Sequence, residues 1–160
     1  MGYEVGGKRN VATHYGPRTT DGQFGGQESS KQGLLKTAEW DFSYDNLPVA
    51  GTTALTFKLP ANAMIKSAVI YITTAWAGGS TPTMQAGIVG ATTDPNGLVD
   101  EAQGTNALIL TKGAVITGAG VFIGKSVGTS AASVTVAAQT GTLTAGSARL
   151  RVTYVYNGNV

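Results

Sequence analysis

Three carboxylates at odd-numbered positions, Glu39, Asp41 and Asp45, are the first residues whose spacing suggests chemistry. In an extended strand all three point to one side, and carboxylates flanking a groove at a set separation are what glycoside hydrolysis needs. The residues interleaved with them, Trp40, Phe42 and Tyr44, are aromatic and take the other side. The carboxylates therefore read as the solvent face of an amphipathic strand whose rings face a core. A second acidic group, Asp94, Asn96, Asp100 and Glu101, could turn several oxygens toward calcium. Its spacing departs from the EF-hand loop, where glycine follows three alternating oxygen ligands and a glutamate comes six residues later. A β-turn at Asp94-Pro95-Asn96-Gly97 with a solvated acidic tail is the simpler reading.

His14 is the single histidine, and cysteine is absent. A catalytic histidine sits in a rigid pocket beside an orienting carboxylate, whereas His14 lies in glycine-rich sequence and reads as a polar contact. Without cysteine there are no disulfides or thiolate metal sites. No Gly-x-Ser-x-Gly elbow and no phosphate loop occurs. The expectation is a protein that is not an enzyme and needs no cofactor. Trp40 and Trp76 could be sugar-stacking platforms, but each sits within an apolar strand and reads as core. Lys58, Lys66, Lys125, Arg149 and Arg151 support two readings equally, a binding face or the protection of sheet edges against unwanted pairing.

The elements that must hold these residues are strands. Glu39–Asp45 alternates, and Leu55, Phe57 and Leu59 repeat the period of two until Pro60 stops it. Met64–Trp76 is the longest apolar run; Val69, Ile70, Tyr71 and Ile72 do not alternate, which predicts a central strand covered on both faces. Further strands are expected over Thr83–Val89, Ala107–Thr117, Val121–Val127, Ala132–Gln139 and Ala148–Tyr156. In the last, Leu150, Val152, Tyr154 and Tyr156 oppose Arg149, Arg151 and Thr153. Glycine-rich turns separate most of these strands. Eight strands at this spacing predict an all-β fold, a jelly-roll-like antiparallel β-sandwich. Trp40, Phe42, Tyr44, Leu55, Phe57, Ile70, Ile72, Leu150, Val152 and Tyr154 are its expected core.

Residues 1–36 differ from the rest. They carry eight glycines, five basic and three acidic residues, and aromatics too sparse to build a core. Such sequence lacks the apolar area that offsets ordering entropy. It reads as an extended N-terminal arm that lies on a partner, with residues 37–160 as the sandwich domain. Lys8, Arg9, Arg18, Lys31 and Lys36 against Glu4, Asp21 and Glu28 hold the whole net charge of +2, since six bases and six acids cancel after residue 36. Charged residues are only 12% of the chain, and no dense basic face points to nucleic acid. No stretch approaches the ~18 apolar residues of a membrane span, and no secretory h-region opens the chain. A myristoylation reading of Gly2 fails because Gly6 stands where serine or threonine is expected. Synthesis in the cytosol is expected.

The stretch Leu59-Pro60-Ala61-Asn62-Ala63-Met64-Ile65, continuing through Val69–Trp76 to Pro82–Gly87, resembles small structural proteins of tailed bacteriophages. So do Gly141–Gly146 leading into Arg149–Tyr154, the opening Gly-Tyr-Glu-Val-Gly-Gly-Lys-Arg, and His14-Tyr15-Gly16-Pro17-Arg18. The resemblance implies a capsid decoration, or cement, protein on the virion exterior, assembled in the host cytoplasm, with the major capsid protein and copies of itself, as dimer or trimer, as partners. Extended, a 36-residue arm spans up to about 120 Å at ~3.3 Å per residue, enough to staple several subunits. Its expected contact residues are Tyr3, Lys8, Arg9, His14, Tyr15, Arg18, Phe24, Lys31 and Lys36. The rival expectation is a carbohydrate- or receptor-binding sandwich of a phage tail or fibre, which would not require a long arm.

Overall fold

The structure, a computed structural model, describes residues 35–47, 53–79, 81–138 and 143–156; of residues 53–57 and 106 it describes the backbone. Eight strands form in these residues: β1 (Leu35–Ser43), β2 (Thr53–Leu59), β3 (Met64–Gly78), β4 (Met84–Val89), β5 (Asp94–Val99), β6 (Val115–Thr117), β7 (Ala132–Ala138) and β8 (Leu143–Val155). A 3-10 turn, Tyr44–Asn46, follows β1, and one helical turn, α1 (Asn106–Ile109), lies between β5 and β6. The strands make two antiparallel four-stranded sheets, β1-β8-β3-β6 and β2-β7-β4-β5. The chain changes sheet at every connection except β4 to β5, so each sheet interleaves early and late strands. That interleaving is the jelly-roll order.

Period-two sequence explains the core. Trp40 and Phe42 from β1, Ile65, Ala68, Ile70 and Ile72 from β3, and Ala148, Leu150, Val152 and Tyr154 from β8 face inward and are buried. They meet Met84, Ala86 and Ile88 of β4 and Val134 and Val136 of β7 from the other sheet in one cluster. Phe42 and Trp76 lie with ring centroids 6.0 Å apart. Both tryptophans are core residues, at 7% and 2% exposure, which rules out their indoles as open stacking platforms. The side chains of Leu55 and Phe57, also expected in the core, lie outside the described residues.

Several expectations are corrected. Tyr44 leaves the aromatic stripe because β1 ends at Ser43, where Asn46 Oδ1 accepts hydrogen bonds from the Ser43 amide at 3.0 Å and hydroxyl at 3.2 Å. Those bonds turn the chain, and Tyr44 is 38% exposed. The expected turn at Asp94–Gly97 belongs to β5. Ala107–Thr117 is α1 followed by the short β6, with Gly113 at φ +82° between them. Val121–Val127 is a succession of turns, broken at Gly124, φ +83°. Its backbone is satisfied by two neighbours: Phe122 N donates to Gly97 O (2.8 Å), and Gly124 N to Ile65 O (2.8 Å).

β3 is central in its sheet, but it is fully buried on one face only, with Val69 and Tyr71 half-buried on the other. The strands buried on both faces are β7 and most of β4, whose small residues (Ala, Gly, Ser, Thr, Val) allow close cover. Gly87 is a case in point: a Cβ there would lie 2.0 Å from Asp94 O.

Candidate functional site

The outer face of the β1-β8-β3-β6 sheet collects the charged side chains that the sequence distributes over distant positions. Inward packing of Trp40 and Phe42 forces Glu39 and Asp41 outward, and inward packing of Leu150 and Val152 does the same for Arg149 and Arg151. Register then pairs Glu39 with Arg151 and Asp41 with Arg149 across β1 and β8. The β3 pairing extends these rows to Val69 and Tyr71, and β6 ends them at Thr117 and Val115.

Arg149 grips Asp41 through two hydrogen bonds, Nε to Oδ1 at 2.7 Å and Nη2 to Oδ2 at 2.8 Å. Its Nη1 also lies 3.7 Å from Glu39 Oε2. Arg151 donates from Nε to Glu39 Oε1 at 2.5 Å, and its guanidinium stands 5.3 Å from the Tyr71 ring centroid. Two acids and two arginines thus form one lattice with an aromatic neighbour. The hydrogen bonds from Arg149 hold the Asp41 carboxyl below its ordinary range, and Asp41 raises Arg149 in return. A glycosidase general acid needs the opposite shift.

Beside the lattice lies an open depression of about 390 Å³, lined by Asp41, Phe42, Ser43, Asn46, Thr73, Ser147, Ala148 and Arg149. Thr73 Oγ1 and Ser147 Oγ, from two of the lining residues, are hydrogen-bonded at 2.8 Å. At the opposite end of the sheet an apolar row replaces the charges: Leu35 and Met64, 64% and 41% exposed, align with Val155. Lys36 Nζ sits there 5.3 Å from the Tyr156 ring centroid.

Lys36 is therefore a β1 residue. The other expected arm contacts, Tyr3, Lys8, Arg9, His14, Tyr15, Arg18, Phe24 and Lys31, lie outside the described residues. Of the five basic residues weighed as a face, Arg149 and Arg151 are neighbours, whereas Lys58 lies on the other sheet. Sequence reading missed the ion-pair lattice, although its signal was there: acids spaced by two on one amphipathic strand and arginines spaced by two on another.

The Asp94 and Asp100 carboxylates accept hydrogen bonds from the chain itself. Asp94 Oδ1 accepts from Asn96 N (3.2 Å), Asp100 Oδ2 from Asn96 Nδ2 (2.9 Å) and Asp100 Oδ1 from Ala102 N (2.9 Å). Among the described residues no group of three His, Cys, Asp or Glu side chains could hold a metal ion. No helix among them is long and apolar enough to cross a membrane.

No protein-family model and no curated protein matches this chain. Solved structures do. A chain in the structure described as the acidic stable capsid of Helicobacter pylori bacteriophage KHP30 aligns at TM-score 0.52 and 20% identity, over 78% of this chain and 90% of that one. A chain from the capsid of Ralstonia phage GP4 aligns at TM-score 0.57 and 21% identity, over 82% and 90%. One from the cyanophage Pam1 capsid asymmetric unit aligns at TM-score 0.55 and 17% identity, over 88% and 97%. At these identities the likeness is one of fold.

Proposed function

We propose that this chain is a structural, non-enzymatic component of a bacteriophage virion that binds the outside of the capsid and reinforces contacts between major capsid subunits, with residues 1–34, ahead of β1, as the staple. The observation that carries this reading is the fold shared, over most of both chains, with chains of three phage capsids. The composition of residues 1–36 supports the staple. Glycine allows close backbone approach, and the ordering cost is offset by backbone pairing and by aromatic anchors. The sandwich supplies a rigid platform, and its Arg–carboxylate lattice leaves that face almost free of net charge.

The test adds full-length protein, or protein lacking residues 1–34, to particles that lack it. Full-length protein is expected to bind and raise the temperature at which particles break. The truncated protein is expected to keep its β circular dichroism and lose the reinforcement. Full reinforcement by the truncated protein would refute the staple, and absence of binding by the full chain would refute the capsid role.

A glycan-binding reading has one feature in its favour. The depression between Asn46, Thr73, Ser147 and Arg149 presents hydroxyl, amide and guanidinium groups together. A glycan array separates this reading from the first.

A further inference from the structure

We propose that Asn96-Gly97 is a latent deamidation site that the fold holds shut, so that opening of the chain around β5 leaves a permanent, destabilising change at position 96. This goes beyond the capsid reading and does not rest on it.

Of the asparagines in this sequence, only Asn96 and Asn157 precede a glycine. Glycine sets no side chain beside the attacking nitrogen and lets the backbone bend toward the carboxamide. The Gly97 nitrogen adds to Asn96 Cγ and forms the C–N bond of a succinimide, while Nδ2 departs as ammonia with the proton that Gly97 gives up. Water then opens the ring at either carbonyl and leaves aspartate or isoaspartate. Water is the only other reactant.

The folded chain opposes this attack from both sides of the bond. Asn96 Nδ2 donates to Asp100 Oδ2 at 2.9 Å, and Asn96 N donates to Asp94 Oδ1 at 3.2 Å. Asp100 is itself fixed, because its Oδ1 accepts from Ala102 N (2.9 Å) and its amide donates to Gln103 Oε1 (2.9 Å). Gln103 Oε1 also accepts from Ala119 N (3.0 Å), which ties the network to the turn before Phe122. On the other side Gly97 is buried, its carbonyl accepts from Phe122 N at 2.8 Å, and a Cβ on it would overlap the Phe122 ring. Ring closure brings Cγ and the Gly97 nitrogen to bonding distance, so these contacts must open first.

The products do not fit the place that Asn96 leaves. Aspartate puts an oxygen where Nδ2 stood, and a donor facing the Asp100 carboxylate becomes a second negative charge. Isoaspartate adds a main-chain carbon ahead of Gly97, whose carbonyl and Cα are already held by Phe122. Chemical change in the open chain thus makes a reversible opening irreversible.

Peptide mass spectrometry on full-length protein tests this in mildly alkaline buffer, with and without urea. Asn157, which lies outside the described residues, sets the clock: incubation runs until it has converted in urea. Asn96 is expected to convert beside it in urea, and at least about tenfold more slowly in folded protein. Asn96→Asp is expected to lower the urea midpoint, and adding Asp100→Asn, which moves the amide to the other partner, to restore most of it. Equal conversion of Asn96 with and without urea would overturn the guard. An intact Asn96 in urea, or an unchanged midpoint for Asn96→Asp, would overturn the site or its consequence. Failure of the swap to restore the midpoint would overturn the role given to Asp100.

Discussion

Gly146, at φ +128°, presses its backbone against the indole of Trp76: a Cβ at position 146 would lie 2.5 Å from Cδ2 and 2.8 Å from Trp76 Cα. Position 146 thus excludes a side chain on two counts, backbone conformation and space. Trp76 in turn contacts Phe42, so one glycine in β8 sets how β1, β3 and β8 close over the core end.

Gly146→Ala is expected to destabilise the fold by about 1–3 kcal/mol from overlap alone, with conformational strain added. Urea unfolding followed by tryptophan fluorescence measures it. An unchanged midpoint would mean that the indole can move aside.

Trp40→Ala should cost about 3–5 kcal/mol, as expected for a buried aromatic truncated to a cavity. The mirror substitution on the same strand, Thr37→Ala, touches an exposed position and should change stability by less than about 0.5 kcal/mol. Equal effects at the two positions would place Trp40 outside the core.

Asp41 predicts a pH dependence with a definite sign. Its folded-state pKa lies below the ordinary 3.8 because Arg149 hydrogen-bonds the ionised form. The stabilisation is therefore fully present above the unfolded pKa and is lost as pH falls through that value and the lower folded one. The stability difference between wild type and Asp41→Asn is expected to shrink between about pH 5 and about pH 2, and to shrink with salt at neutral pH because the pair is exposed. A gap that widens on acidification would contradict the assignment of the shift to Arg149.

Arm binding is expected to depend on rings more than on charge. Residues 1–36 carry a net charge of +2, and exposed pairs contribute about 0–1 kcal/mol each, screened by salt. Buried aromatic anchors contribute about 2 kcal/mol or more. Wild-type protein should stay on particles at high salt, while a Tyr15→Ala, Phe24→Ala double variant dissociates. Release of wild type by moderate salt with the double variant still bound would reverse that ranking.

Much of this molecule follows from local pattern. The alternation in Glu39–Ser43 and in Ala148–Tyr154 settled which side chains face inward, because a period of two leaves a half-buried strand one choice of face. Eight short strands at regular spacing pointed to an all-β sandwich. Local pattern failed where tertiary partners override it. Asp94–Val99 looks like a turn, yet the Gly97 carbonyl accepts from Phe122 N and the strand pairs with β4. Val121–Val127 looks like a strand, yet Gly124 breaks it and its amides bond to β5 and β3. Face assignment also leaves partners open. Glu39 and Asp41 were evidently solvent-facing, but Arg149 and Arg151 lie more than a hundred residues away in the chain. Only the jelly-roll order, which sets the C-terminal strand beside the first, brings the four charges into one lattice, because side-chain direction is a local property of a strand and strand adjacency is not.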